Sequence, residues 1–416
     1  MTVAAHCRRV FVLLLAGYVL GGLAGCETLS SLNPFSDDDD DQPAALQEFK
    51  EEARVDIRWD AQVGDGAGAN YLHLDLAVSG PRVFAADAYG VVEGYERETG
   101  KRVWRVEIDN PTPPPGWSER IRFWSLSDDA FITGAVGAGA GAVFVGTDNG
   151  DVIALDDLDG HELWRAKVSS EVVSAPQTDG DVVGVMTLDG RVVALDRATG
   201  QRRWSYDTQV PVLTLRGSAR ALVAEGLVIA AFPSGRVVAL RAKGGEPVWE
   251  QRIAVPQGRS ELERMVDVDG TPLVVPPLIY AASFQGRVKA LRLSDGNPIW
   301  ERELSSFQSL ASGQGLIYAV AKEDDIQALD EKTGETTWSN PGFKFRALTG
   351  GASVAGYVIF GDSLGYLHVL AQSDGRIVGR EQIDSDGLRS DFVVYEGVLY
   401  GLSNGGRLFA ARIAAK

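Results

Sequence analysis

The chain has 416 residues, of which 45% are apolar and 23% charged, and carries a formal net charge of −17. A chain of this length ordinarily divides into two or three domains, and its apolar content is ample for a large core. The acidic surplus argues against nucleic acid as a partner, because binding to phosphates draws on clustered Lys and Arg.

The chain opens on a targeting segment. His6, Arg8 and Arg9 precede an apolar run over residues 10–20, and Leu23-Ala24-Gly25 leads into Cys26. Residues 10–25 fall short of the ~20 apolar residues that a spanning helix needs. Residues 1–25 therefore read as a cleaved signal peptide. Small residues before a Cys at this place resemble the bacterial lipobox, which implies a thioether-linked diacylglycerol and an N-acyl chain on Cys26. Several acyl chains hold a protein on a membrane where one alone binds marginally. Residue 27 is Glu, not the Asp that in enteric bacteria implies retention at the inner membrane. The expected location is the periplasmic face of the outer membrane.

Loss of residues 1–25 removes Arg8 and Arg9 and moves the net charge from −17 to −19. With Cys7 gone and Cys26 lipidated, the folded domain holds no Cys, so it relies on its core and not on disulfides. Residues 26–53 read as the lipidated Cys followed by a polar tether. The run Asp37 to Asp41 within it is solvated and self-repelling.

Residues 54–416 are organised by a repeat. In Gly190-Arg-Val-Val-Ala-Leu-Asp196-Arg-Ala-Thr-Gly200-Gln-Arg-Arg-Trp204, a turn at Gly190 opens an alternating strand, Asp196 to Gly200 make a second turn, and the next strand carries Trp204. An Ala, a turn Gly and a Trp in this spacing recur at Ala154/Gly160/Trp164, Ala239/Gly245/Trp249, Ala290/Gly296/Trp300 and Ala328/Gly334/Trp338. Gly94/Gly100/Trp104 fits with a smaller first residue. A seventh copy at Val369 and Gly375 has Gly379 in the Trp position, and an eighth starts at Ala410 and stops before its last strand.

That missing strand is found at the other end of the chain. Val55-Asp-Ile-Arg-Trp59 is a Trp strand with no turn before it. The pattern predicts an all-β fold: an eight-bladed β-propeller with four antiparallel strands per blade, closed by the N-terminal strand around Trp59 completing the C-terminal blade. Closure leaves only short, protected edges. The intervals Gly150 to Gly190 and Gly365 to Gly405 are each 40 residues, within the roughly 40 to 50 of a propeller blade. Seven of the nine Trp sit at the repeat position and read as packing residues between blades.

Three links between a Trp strand and the next inner strand stand out. Residues 110–124 are rich in Pro and carry Trp117, Phe123 and Trp124, a flap or a partner contact. The second is Pro211-Val-Leu213-Thr-Leu215-Arg216-Gly217-Ser218 and the third is Glu263-Arg-Met-Val-Asp267-Val-Asp269-Gly-Thr-Pro272. These two flank one blade, so they should be neighbours in space. Leu213, Leu215 and Arg216 beside Asp267 and Asp269 have the composition of an interface centre, apolar anchors with a forked cation and acidic groups. The same residues also fit an internal Arg-Asp pair steadying two links.

A lipobox, a polar tether and Trp-docking repeats, with Leu-Thr-Leu-Arg-Gly and Asp-Val-Asp-Gly-Thr-Pro in these links, resemble the BamB family of the outer-membrane β-barrel assembly (BAM) machinery. The resemblance runs from Cys26 to the C-terminus. It implies a non-enzymatic scaffold that docks the periplasmic POTRA domains of BamA and assists delivery and insertion of unfolded outer-membrane β-barrel proteins, with other BAM members as further partners. It also implies contact roles for Leu213, Leu215, Arg216, Asp267 and Asp269. The departures are Gly379 for Trp and the long Asp run.

The repeats also resemble quinoprotein dehydrogenases that hold pyrroloquinoline quinone with calcium, and a generic periplasmic adaptor is a third reading. The domain lacks the Cys pair typical of those enzymes, and Asp267-Val-Asp269-Gly270 offers two carboxylates where calcium takes six to eight oxygens. No metal site, catalytic residue or cofactor is therefore assigned. His73, His161 and His368 fit no zinc or nucleophile motif. Residues 134–141, rich in Gly and Ala, read as a flexible lead into the strand at Val143, with no phosphate-loop Lys after them.

Overall fold

The spacing that recurs in the sequence is a strand register. In a computed structural model, which describes residues 42–68, 70–109, 131–211, 213–215, 217, 219–260 and 262–416, Ala154 lies opposite Trp164 across adjacent antiparallel strands. Ala194 faces Trp204, Ala239 faces Trp249, Ala290 faces Trp300 and Ala328 faces Trp338 in the same way. At the closure of the ring Ala410, from the end of the chain, faces Trp59 from its beginning. Each pair sits at a register shift, a local bulge that sharpens the twist of the outer strand.

Among the described residues the strands make eight antiparallel sheets of four. The first holds Ala77–Ser79, Arg82–Ala86, Val91–Glu96 and Arg102–Glu107, hydrogen-bonded in chain order. The eighth takes Val393–Tyr395, Val398–Leu402 and Arg407–Ala415, then Ala53–Gln62. First strands of neighbouring blades contact one another, which places them around a common axis with the Trp strands outermost. The fold is the eight-bladed propeller that the repeats predict, closed by the strand that carries Trp59. The two middle strands of each blade are buried, as in Ala142–Thr147 and Asp151–Asp156, and the outer strands alternate. Blade-to-blade burial of these middle strands is the main stabilising term.

Each Trp locks its blade to the next. Trp59 Nε1 donates to the Arg97 carbonyl, Trp104 to Asp157, Trp164 to Arg197, Trp204 to Ala242, Trp249 to Leu293, Trp300 to Glu331 and Trp338 to Gln372, at 2.8 to 3.0 Å. The ring lies on the next blade's turn glycine. At Gly100, where φ is +68°, an added Cβ would stand 2.5 Å from the Trp59 ring. Gly there serves both the left-handed turn and the indole above it.

This lock explains the faded seventh repeat. Blade eight has no turn between its third and fourth strands, because those strands come from opposite ends of the chain, so a Trp in blade seven would have no turn glycine to cover. The N-terminal strand fills the place instead: a Cβ on Gly379 would meet the Ala53 carbonyl oxygen at 2.6 Å.

Two expectations change. Residues 132–139 are the inner strand of the second blade, not a flexible lead. Their small residues answer to crowding near the axis, since a Cβ on Gly137 would lie 1.7 Å from the Pro176 carbonyl oxygen. The polar tether, read as residues 26–53, also gives way to fixed structure before its predicted end. Ala44 N donates to Lys344 O at 2.8 Å, and the Ala44 carbonyl accepts from Arg346 Nη1 at 2.7 Å. Arg380 donates to the Gln47 carbonyl and stacks 4.9 Å over the Phe49 ring, and Phe49 packs on the core around Trp338 and Phe343. Glu52 N donates to Val378 O, and Lys416 N donates to Glu52 O. One aromatic in a polar segment supplies the apolar contact, and arginines of blade seven take up the exposed carbonyls. Cys26, the signal segment, the Asp37 to Asp41 run and residues 110–124 lie outside the described residues.

Candidate partner-docking face

The links into blades four and five meet on one face, as their spacing predicts. Leu215 N donates to Asp267 Oδ2 at 3.0 Å. Gly217 passes close by, a Cβ position there lying 3.5 Å from Asp267 Oδ1 and 3.6 Å from Asp269 Oδ1. Asp267 is fixed by its own backbone, which accepts from Phe284 N at 2.8 Å, and by Val266 and Val268, both buried. Leu213 is exposed at 43%, Leu215 is half-buried and Asp269 reaches the axial cavity. Arg216, the cation of the predicted set, lies outside the described residues. The structure therefore brings together Leu215, Asp267 and Asp269.

Asp267 has no solvent exposure, and its Oδ1 has no hydrogen-bond partner among the described residues. Burial, and then the charge of Asp269, push its carboxyl up to about 7, and the N–H bonds of Leu215 and Val268 only partly offset this. A folded-state value above the unfolded one means that the folded protein holds an extra proton between pH ~4 and ~7, so this group's contribution to stability falls as pH rises through that window. Asp267→Asn keeps an acceptor for Leu215 and removes the penalty. Its stability relative to the parent is expected to rise from pH 5 to pH 8 in urea denaturation, and a pH-independent difference would refute this.

At the axis, beside these links, sits a charged cluster that repeat-based reading passes over. Arg220 Nε donates to Asp75 Oδ2 at 3.1 Å, and its Nη2 lies 3.4 Å from Asp391 Oδ2. Asp391 N donates to Asp75 Oδ1 at 3.2 Å, Arg220 N to Thr271 Oγ1 at 3.1 Å and Thr271 N to Ser309 Oγ at 3.2 Å. Asp75, Arg220, Thr271, Ser309 and Asp391 each stand two residues before the first strand of a blade. The sequence signal was available: one register position ahead of each inner strand, aligned across the repeats, lists the residues of this collar. Arg220 of blade four reaches blades one and eight, so it ties the ring across its middle.

A family model described as outer membrane protein assembly factor BamB matches residues 88–340. A protein of that name from Pseudomonas aeruginosa is 43% identical over 89% of this chain and 92% of its own length. The chain belongs to the BamB family. The crystal structure of BamB from Moraxella catarrhalis superposes with a TM-score of 0.75 at 27% identity, over 86% of this chain and 99% of that one. A quinohemoprotein alcohol dehydrogenase from Pseudomonas putida shares the fold, with a TM-score of 0.64 over 86% of this chain and 76% of its own, but only 13% of its sequence.

The axial cavity does not fit that enzyme class's quinone. Pyrroloquinoline quinone is a tricarboxylate, and Asp75, Asp269 and Asp391 line the axial cavity. Arg220 is already committed to two of them. Like charges facing a carboxylate ligand oppose its binding. Of the three histidines named from the sequence, His73 lines the axial cavity, and the other two are held by Asp side chains: His368, fully buried, meets Asp362 at 2.8 Å, and burial pulls its imidazole below the usual value. His161 is exposed and meets Asp159 at 2.6 Å. Asp156, Asp159 and His161 could converge on a cation, but Asp156 is half-buried, the other two are exposed, and the hydrogen bonds of their turn already use the two carboxylates.

Proposed function

We propose that this chain is a lipid-anchored, non-enzymatic scaffold of the outer-membrane β-barrel assembly machinery. Cys26, freed by removal of residues 1–25, carries the lipid and holds the wheel at the periplasmic face of the outer membrane. The face built by Leu213, Leu215, Arg216, Asp267 and Asp269 docks the POTRA domains of BamA. The scaffold thereby assists delivery and insertion of unfolded β-barrel proteins. The observation that carries the reading is the hydrogen bond from Leu215 to buried Asp267, which supports treating two separate links as one patch with an exposed Leu213 at its edge. Membership of a family named for outer-membrane protein assembly supports the setting. Confinement beside the insertase lets a modest interface suffice, because anchoring raises the effective concentration.

The test is co-purification with BamA. Arg216→Glu, and separately Leu215→Ala with Asp267→Ala, are expected to lower the recovered BamA strongly while near-ultraviolet circular dichroism stays native. A hot-spot residue is worth about 2 kcal/mol or more, roughly 30-fold in affinity. Undiminished recovery with both sets would remove the assigned face. Cys26→Ala, exported behind a cleavable signal, is expected in the soluble periplasmic fraction.

A further inference from the structure

A second hollow opens at the seam of the ring, apart from the links that carry Leu213 and Leu215. About 310 Å³ in volume, it lies where the link into blade eight brings Asp386 and Arg389, the link into blade one brings Asp65, Asn70 and Tyr71, and a turn of blade eight brings Asn404 and Gly405. Tyr71 is the only large apolar group among the described residues that line it, and it is 72% exposed. Its ring is nevertheless fixed. The Arg389 guanidinium lies 3.9 Å over it, Arg389 Nη1 donates to the Asn70 carbonyl at 3.2 Å, and His73 meets the ring edge-on at 6.2 Å between centroids.

The polar wall is held as firmly. Asn404 Nδ2 donates to the Asp386 carbonyl at 2.9 Å, Asp386 N donates to Asp384 Oδ1 at 3.2 Å, and Asp384 Oδ2 accepts from Ser403 Oγ. Gly405 lets the chain pass beside both carboxylates, since a Cβ there would stand 2.5 Å from Asp386 Oδ2 and 2.7 Å from Asp384 Oδ2. Among the described residues no hydrogen bond ends on the carboxylates of Asp65 and Asp386 or on the amide oxygen of Asn404. These groups decide which chemistry fits. An anion would face Asp65 and Asp386, and a simple cation would crowd Arg389 and leave the amide N–H groups without acceptors. A ligand whose neighbouring groups each donate and accept suits the whole wall, and the hydroxyl is such a group.

We propose that this hollow binds a neutral saccharide ring. Adjacent hydroxyls donate to Asp65, Asp386 and Asn404 and accept from Arg389, while a C–H face of the sugar rests on the exposed part of Tyr71. A peptide would need several apolar pockets for its side chains, and here Tyr71 alone supplies apolar surface. The inference stands apart from the docking function and adds a ligand to the scaffold.

Mature full-length protein, parent and variants, is titrated calorimetrically with triacetylchitotriose and with maltotriose. Saturable binding of at least one trimer is expected. Asp386→Ala removes a charge-assisted hydrogen bond and is expected to weaken binding about tenfold. Tyr71→Ala removes the aromatic contact and is expected to weaken it about fivefold. Both side chains are exposed, so thermal melts should match the parent. The docking variant Arg216→Glu is expected to bind the sugar as the parent does. No saturable binding of either trimer overturns the proposal, and so does binding that neither Asp386→Ala nor Tyr71→Ala weakens. Tighter binding of triglycine, spermidine or glucuronate than of the trimers would give the hollow to a peptide, a cation or an anion instead. Co-sedimentation with purified cell-wall sacculi and with lipopolysaccharide micelles, lost in Tyr71→Ala, tells a sugar carried on a glycan strand from one carried on a lipid.

Discussion

A chain that begins at Val63, lacking the strand Ala53–Gln62, is expected to lose its cooperative thermal transition and to elute as soluble aggregate. The strand is paired along its length with Arg407–Ala415, from Ala53 opposite Ala415 to Gln62 opposite Arg407. Without it, a nine-residue strand bearing Leu408, Phe409 and Ile413 becomes an open edge, the geometry that recruits other chains. Trp59 goes too, with its bond to Arg97 and its cover over Gly100. Loss of a large buried aromatic alone costs about 3–5 kcal/mol, against a typical total stability of about 5–15 kcal/mol. The opened ladder adds to that. Circular dichroism melts and size-exclusion chromatography read the outcome. A permuted chain with residues 53–62 joined after Lys416 by a short turn should restore the melt, because Lys416 N already donates to Glu52 O. A native melt for the truncated chain would show that ring closure contributes little.

Arg220→Met carries the second large effect. The guanidinium is the shared partner of Asp75 and Asp391, and the side chains of Arg220 and Asp75 are only 18% and 8% exposed. Removing one member of a buried charge cluster leaves the others uncompensated and costs about 3–5 kcal/mol. The sign with pH follows from the carboxylates. Burial already raises Asp75, and losing Arg220 removes the strongest influence that lowers it. A folded value raised further above the unfolded one destabilises above that folded value, and the cost fades as pH falls towards the unfolded value near 4. The stability gap between parent and variant should therefore shrink on acidification from pH 8 to pH 5 in denaturant titrations. A gap that is constant, or that widens in acid, would assign the loss to packing.

The fold was legible because its repeat is a register. An Ala and a Trp that pair across a strand must recur at fixed spacing, and a turn glycine beneath an indole tolerates no substitute, so geometry is written directly into residue spacing. Closure was legible for the same reason: Trp59 is a Trp strand without its turn, and Ala410 a turn without its Trp strand. The docking links were partly legible. Neighbouring blades bring their links together whatever their sequences, but only the coordinates show that Leu215 N ends on Asp267 and that this carboxyl is buried. The collar of Asp75, Arg220 and Asp391 joins residues more than a hundred positions apart; aligned repeats bring them to one register position, but which of them pair across the axis is set only by the fold. The fixed course of residues 44–52 was hidden differently. It depends on Phe49 meeting a core built by blade seven, and a lone aromatic in a polar stretch has no period to reveal it.

The two chain ends share one seam, where Glu52 and Lys416 lie side by side against blades seven and eight. In a ring of eight, blade eight stands half a turn from blade four, whose entry link carries Leu213 and Leu215. From that seam the fixed stretch runs back to Ala44 at the entry to blade seven, so the closing strand is clamped by two blades and its release requires both to let go.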